Sequence, residues 1–344
     1  MMRTTMFHCT VSVFAFLVTS GCGSVELAVD YSEEEPWPRL ARSVADTPTA
    51  WNFGQVVAVA TANDGNVLVL HRGANPVMVF SPAGEFVRAW GDGLFSHGKV
   101  AGVAAGSVTP TGSRYSAVYG AAGCHACGAH AVRVDPDGHI WLVDAPGHVI
   151  YKMTSDGDVL LRLGTQGVAG AGPDTFNLPT DVGFSPGGDI YVSDGYGNAR
   201  VVKFSSDGTY LSEWGSRGTG PGEFGLPHGI AVDEDGRVYV VDRDNRRVQV
   251  FDGNGMFLDE WTDLVGVQTV FVTKAQQIWT GGTLRTLDGE PLAELVNGGG
   301  GHGLAAVDTA VFVAQLSGRV QKFNRGPSRN REFPIGGPIE PQRK

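Results

Sequence analysis

One pattern of residues recurs along this chain, and it restricts the possible folds more than any other feature. Val134-Asp135-Pro136-Asp137-Gly138-His139-Ile140-Trp141-Leu142-Val143-Asp144 is echoed by Phe184-Ser185-Pro186-Gly187-Gly188-Asp189-Ile190-Tyr191-Val192-Ser193-Asp194. It returns as Val232-Asp233-Glu234-Asp235-Gly236-Arg237-Val238-Tyr239-Val240-Val241-Asp242. Each copy reads as strand, tight turn, strand. Glycine supplies the positive φ a hairpin turn needs, and the β-branched and aromatic run after it suits a strand. A second half repeats too. Asn198-Ala199-Arg200-Val201-Val202-Lys203-Phe204 matches Asn245-Arg246-Arg247-Val248-Gln249-Val250-Phe251, and each leads into another turn and strand ending at Trp214 or Trp261.

Degenerate copies extend the series over Val57–Trp90, Val267–Val296 and His302–Phe323, so the chain holds six units of four or fewer strands. Self-similarity at this spacing signals a repeat architecture. Short-stranded units of roughly 40–50 residues predict an all-β, six-bladed β-propeller, each blade a four-stranded sheet beside a central channel. The pattern resembles NHL repeats; the competing architecture is another β-solenoid or sandwich. The 50 Gly and 18 Pro fit many turns, and 42% apolar residues exclude a disordered chain. A net charge of −10 argues against a nucleic-acid partner.

The propeller is expected over residues 51–325, with a loop insertion at 92–127 and a polar tail at 326–344. Before it, Arg3 precedes an apolar run from Phe7 to Val18, then Thr19-Ser20-Gly21-Cys22. This resembles a bacterial lipoprotein signal spanning 1–21, cleaved so that Cys22 is lipidated; a plain signal peptide and a chance apolar start are the alternatives. The reading places the protein in the cell envelope, exported and anchored to a membrane by lipid, at the outer membrane or facing the periplasm. Residues 22–50, with Ser32-Glu33-Glu34-Glu35-Pro36, read as an acidic tether. No later stretch approaches the roughly 18 apolar residues of a membrane span. Cys9 would leave with the signal, so Cys124 and Cys127 remain. In an exported protein this CxxC is a small disulfide or, with His125 and His130 nearby, a metal or redox pair.

Alignment on the turn glycines exposes a candidate site. His130 and His228 lie eight residues before Gly138 and Gly236, Thr180 holds the same place before Gly188, and His302 opens the corresponding strand of the last unit. The first strand of each blade lines the channel, so His130, His228 and His302 should converge on the axis. Three imidazoles with a fourth position open suit a catalytic zinc. Six residues past the turn glycine stand Asp144, Asp194, Asp242 and His71. Their expected role is to tie a strand end. Tyr196, Arg72 and Arg243 lie just beyond, where loops ring the channel mouth, as surface residues or functional ones.

Phe176-Asn177-Leu178-Pro179-Thr180-Asp181-Val182, Val192-Ser193-Asp194-Gly195-Tyr196-Gly197-Asn198-Ala199-Arg200, Pro227-His228, Asp242-Arg243-Asp244-Asn245 and His71-Arg72-Gly73 together resemble the peptidyl-α-hydroxyglycine α-amidating lyase family. The likeness covers roughly residues 55–325. It implies a six-bladed propeller with catalytic zinc on His130, His228 and His302. It also implies Tyr196 as base, Arg72 as its partner, Arg243 as a second arginine and a calcium ion deeper in the channel. The family has Asp directly after its third zinc histidine, helping to hold calcium. Gly303 stands there, which puts calcium in doubt. Gly197 replaces a cysteine of animal members, and His97 and His125 are rival zinc ligands.

The first functional expectation is a zinc-dependent lyase that cleaves the C–N bond of a peptidyl-α-hydroxyglycine-like small molecule or peptide to an amide and glyoxylate. The alternative is a non-catalytic NHL propeller serving as a cell-surface platform for a protein or glycan. A third is another hydrolase or lyase on the same scaffold.

Overall fold

A computed structural model describes residues 30–39, 53–96, 128–295 and 301–326, with the backbone of Phe7–His8 and Gly23–Ser24. Cys22, His97, Cys124, His125, Cys127 and most of the C-terminal tail lie outside the described residues.

The chain folds into six four-stranded antiparallel blades. Blade 1 holds strands Val56–Thr61, Val67–His71, Val77–Phe80 and Phe86–Trp90, and blade 2 begins at Ala129–Val134 and ends at Val159–Leu163. Blades 3, 4 and 5 start at Asp181–Phe184, Pro227–Val232 and Val270–Val272. The second strands are the most deeply buried: Ile140–Asp144, Ile190–Asp194 and Val238–Asp242 have no exposed residue. Each is covered on both faces by neighbouring blades, which explains its continuous apolar run. Six hydrophobic clusters fill the blade-to-blade interfaces and close the ring. Among the described residues, no helix is long and apolar enough to cross a membrane.

Blade 5 keeps its first turn without the glycine: Gln276 adopts the left-handed conformation there, at φ 54°. Blade 6 uses a two-residue connection, Asp308-Thr309, between Gly303–Val307 and Ala310–Gln315. Both changes erase the turn signature and explain why these units look degenerate.

The tether expected over 22–50 needs correction at its centre. Tyr31–Glu34 pairs with Arg319–Arg325 as the outermost strand of blade 6. An early segment of the chain therefore completes the last blade. The acidic run is consumed locally, with Glu33 paired to Arg319 and Glu34 to Lys322 at 2.7 Å. Pairs of this exposure contribute little; the apolar residues matter more. Tyr31 meets Trp279 edge-on at 5.3 Å. Trp37, 5% exposed, packs between Phe312 of blade 6 at 4.9 Å and Phe80 of blade 1 at 5.9 Å.

Trp37 also completes a series. The tryptophan ending an outer strand packs on a turn glycine of the next blade: Trp90 on Gly157, Trp214 on Gly255, Trp261 on Gly289. A Cβ at Gly255 would come within 2.6 Å of the Trp214 ring. Trp37 makes the same contact with Gly84 across the closure. Truncating a buried tryptophan costs roughly 3–5 kcal/mol. Trp37→Ala should therefore lower unfolding stability in denaturant by about that much, while Met256→Ala, at a side chain 61% exposed, should shift it by less than about 0.5 kcal/mol. Equal effects would remove the closure from Trp37.

Candidate metal centre

The first strand of three blades carries an irregularity at the same place. Strand pairing shifts between Val56 and Ala58, between Ala129 and Ala131, and between Pro227 and Ile230. The extra residue in each shift is Val57, His130 or the His228-Gly229 pair. A bulge re-aims a side chain, and here it aims both histidines at the axis.

His130, His228 and His302 come together as the register predicts. Their ring centroids lie 5.0, 4.9 and 5.1 Å apart, and their ligand atoms all fall within 4.8 Å of one another. All three are buried. The channel register alternates, since blades 2, 4 and 6 present histidine while blades 3, 5 and 1 present Thr180, Gln268 and Val57. Each Nδ1 meets the backbone carbonyl of that neighbouring residue: His130 with Thr180 at 2.6 Å, His228 with Gln268 at 2.7 Å and His302 with Val57 at 2.7 Å. A carbonyl can only accept, so Nδ1 carries the proton and Nε2 keeps its lone pair.

Burial pulls all three imidazoles below the ordinary histidine range, and the positive charge of nearby arginines, Arg243 among them, pushes the same way. His302 falls to about 4 through burial first, then Arg72. The rings are therefore neutral at pH 7 and ready to ligate. The Tyr196 hydroxyl lies 3.2 Å from His130 Nε2 and 3.3 Å from His228 Nε2. One hydroxyl can donate to one acceptor at a time, so these nitrogens outnumber their donor. Neutral nitrogen donors, oriented through Nδ1 and converging through Nε2, fit zinc, and such outer hydrogen bonds are a usual accompaniment of metal-bound histidine.

The expected aspartates tie strand ends. Asp194 accepts from Asn177 N, Asn198 Nδ2 and Arg200 Nε; Asp242 accepts from Gly225 N, Leu226 N, Asn245 Nδ2 and Arg247 Nε. These knots hold the loops that carry Tyr196 and Arg243. In blade 1, His71 does this work as a neutral acceptor, its Nδ1 receiving the N–H of Gly54 and Gly73. Burial pulls its pKa to about 4.

The Arg243 guanidinium lies 5.6 Å from the Tyr196 ring centroid and is held by Asp244 at 3.1 Å. Arg72 donates to Gln55 Oε1 at 2.6 Å and to the Ala129 carbonyl at 3.2 Å, one residue from His130. Gln55 escapes the sequence reading because it lies outside every repeat register. Arg133 and Asp181 escape it too, although they line the space directly behind the histidines.

Two segments, 176–204 and 224–251, match the NHL repeat model. The chain is 34% identical over 267 residues to human "NHL repeat-containing protein 3", covering 72% of this chain and 69% of that one. It is 31% identical over 179 residues to Drosophila melanogaster "Peptidyl-alpha-hydroxyglycine alpha-amidating lyase 1", covering 48% of this chain but 32% of the relative. It spans only 9% of the mouse and rat peptidylglycine α-amidating monooxygenases it also matches. Among solved structures, virginiamycin B lyase from Staphylococcus aureus superposes with a TM-score of 0.53 at 12% identity, covering 87% of this chain and 99% of that one, a likeness of fold. With its blades, its repeat segments and a relative matched over two thirds of both chains, this chain belongs to the NHL-repeat family, with sequence similarity to the amidating lyases.

Proposed function

We propose that this chain is a zinc-dependent lyase that cleaves peptidyl-α-hydroxyglycine-like substrates to an amide and glyoxylate. One observation carries the reading: three neutral imidazoles converge beside a phenol, and two arginines flank them. Homology to the amidating lyases supports it. His130, His228 and His302 would hold the metal, which supplies Lewis acidity to a substrate oxygen when bound.

The remaining work falls to side chains of the chain. Tyr196 is the base, its oxygen beside two of the imidazoles, where a substrate hydroxyl would arrive. Arg243 lies against its ring, a cation placed to stabilise negative charge on the phenolic oxygen. As the hydroxyl proton passes to Tyr196, the carbon–oxygen bond becomes a carbonyl and the carbon–nitrogen bond breaks. The electron pair goes to the amide nitrogen, which recovers the proton from Tyr196. Arg72, held by Gln55 Oε1 and the Ala129 carbonyl, would pair with the substrate carboxylate.

The human NHL relative, matched over more of the chain than the lyase, favours a second reading, a propeller that binds without catalysis. Metal analysis of protein purified without added zinc, run beside a glyoxylate-release assay on a hydroxyglycine peptide, separates the two. The lyase reading expects one zinc per chain and metal-dependent glyoxylate. Metal-free, inactive protein would leave the binding platform.

A further inference from the structure

Immediately behind the histidines is a cavity of about 20 Å³, lined by His130, His228, His302, Gly303, Asp181 and Arg133 among others. That is room for about one water. On its far side a larger cavity of about 320 Å³ begins, and Arg133 borders both. Arg133 therefore stands across the channel between the metal centre and the opposite face.

The resemblance to the amidating lyases places a calcium ion at this depth, with its carboxylate on the residue after the third histidine. Gly303 lacks one, and the backbone leaves no space for one. A Cβ there would come 2.7 Å from the Ala58 Cα and 2.9 Å from the Val57 carbonyl oxygen. The equivalent residues after the other two histidines are Ala131 and Gly229, and a Cβ on Gly229 would meet Gln268 O at 2.9 Å. Among the described residues lining this cavity, the acidic side chain is Asp181, from blade 3. It is already committed: Oδ1 accepts Arg133 Nε at 2.9 Å, Oδ2 accepts Arg133 Nη2 at 2.5 Å, and its oxygens also take the N–H groups of Val182 and Ile230. Calcium needs 6–8 oxygen ligands, and this layer supplies one carboxylate that already holds a guanidinium.

We propose that Arg133 is the channel's built-in cation, a positioning residue that takes the place of calcium and holds the histidines in register. Together with Asp181 it links four blades. From blade 2 it pairs with Asp181 of blade 3, whose Oδ2 reaches Ile230 of blade 4, and Nη2 donates to the Val270 carbonyl at 3.2 Å on blade 5. These anchors adjoin the histidine supports. Asp181 follows Thr180, Ile230 is two residues past His228, and Val270 is two past Gln268. A bidentate buried pair is rigid and directional, and breaking it by removing one partner leaves a buried charge unpaired. The positioning part of this inference rests on the zinc reading; the replacement of calcium does not.

The test uses the full-length protein. Wild type, dialysed against calcium chloride and then buffer, should retain no calcium, and its melting temperature should be the same in calcium and in EGTA. Arg133→Ala should melt lower and bind zinc about tenfold or more weakly, the usual scale for losing an outer-shell support. Its cobalt(II)-loaded form should show an altered visible spectrum. Calcium should raise the melting temperature of Arg133→Ala by neutralising Asp181, and should not do so for Arg133→Ala/Asp181→Asn. One calcium per wild-type chain, or a calcium-dependent wild-type melt, overturns the proposal even if the variants fail to fold. Wild-type zinc affinity and cobalt spectrum in a folded Arg133→Ala overturn the positioning role. Absence of zinc from wild type would instead sink the zinc reading, leaving the calcium comparison to judge the rest.

Discussion

Alanine at any one of His130, His228 or His302 is expected to strip zinc from an otherwise folded protein. The three imidazoles form one ligand set, their ligand atoms within 4.8 Å of one another, and two imidazoles hold zinc far less tightly than three. If roughly 10–16 kcal/mol of structural zinc binding is shared among four ligands, losing one forfeits on the order of 3 kcal/mol, roughly a hundredfold in affinity. Each substitution also removes one Nδ1 hydrogen bond between adjacent blades, worth about 1 kcal/mol. That loss is small beside six blade interfaces, each with its own apolar cluster. Metal content should therefore collapse while the circular dichroism spectrum stays that of the wild type. His97→Ala and His125→Ala serve as controls and should keep their metal. If one of these loses zinc while His130→Ala retains it, the turn-glycine register chose the wrong ligand.

Tyr196→Phe should do the opposite: zinc stays and turnover falls by on the order of 10²-fold or more, the scale of losing a general base. The ring survives the change, so the packing of Arg243 at 5.6 Å and the edge contacts with His130 and His228 survive with it. Only the oxygen beside the two imidazoles is removed. The readout is glyoxylate release by variant and wild type loaded with the same metal. Undiminished kcat would show that the phenol takes no part in proton transfer, and the base would have to be sought elsewhere around the channel mouth.

Much of the site is legible in the amino-acid sequence because the histidines share a spacing with a turn glycine. A turn glycine at φ 80–90° marks the start of the second strand in blades 2, 3 and 4, and counting back from it reaches the channel. The count weakens where the turn changes chemistry, as at Gln276 and at the two-residue connection of blade 6. There the likeness of Gly301-His302-Gly303 to Pro227-His228-Gly229 identifies His302 instead. The same register sets Arg72 and Arg243 near the mouth. How they sit about Tyr196 depends on how loops from different blades lie against each other, and the Arg243 guanidinium lies 5.6 Å from its ring centroid.

The sequence alone determined the hairpins, the number of blades and the convergence of three histidines on the axis. These properties are local, because a turn glycine, a β-branched run and a repeated interval act within one unit of chain. Tertiary structure alone decided how the ring closes and how the site is supported. Tyr31–Glu34 pairs with Arg319–Arg325 from the far end of the chain, and nothing in an acidic segment announces a strand until that partner edge exists. The alternation of histidine Nδ1 with neighbouring carbonyls appears only when six blades meet around one axis. Arg133 finds Asp181 across 48 residues because the ring sets the first strand of blade 2 beside that of blade 3. Contacts of that kind are set by non-local packing, which no interval along the chain records.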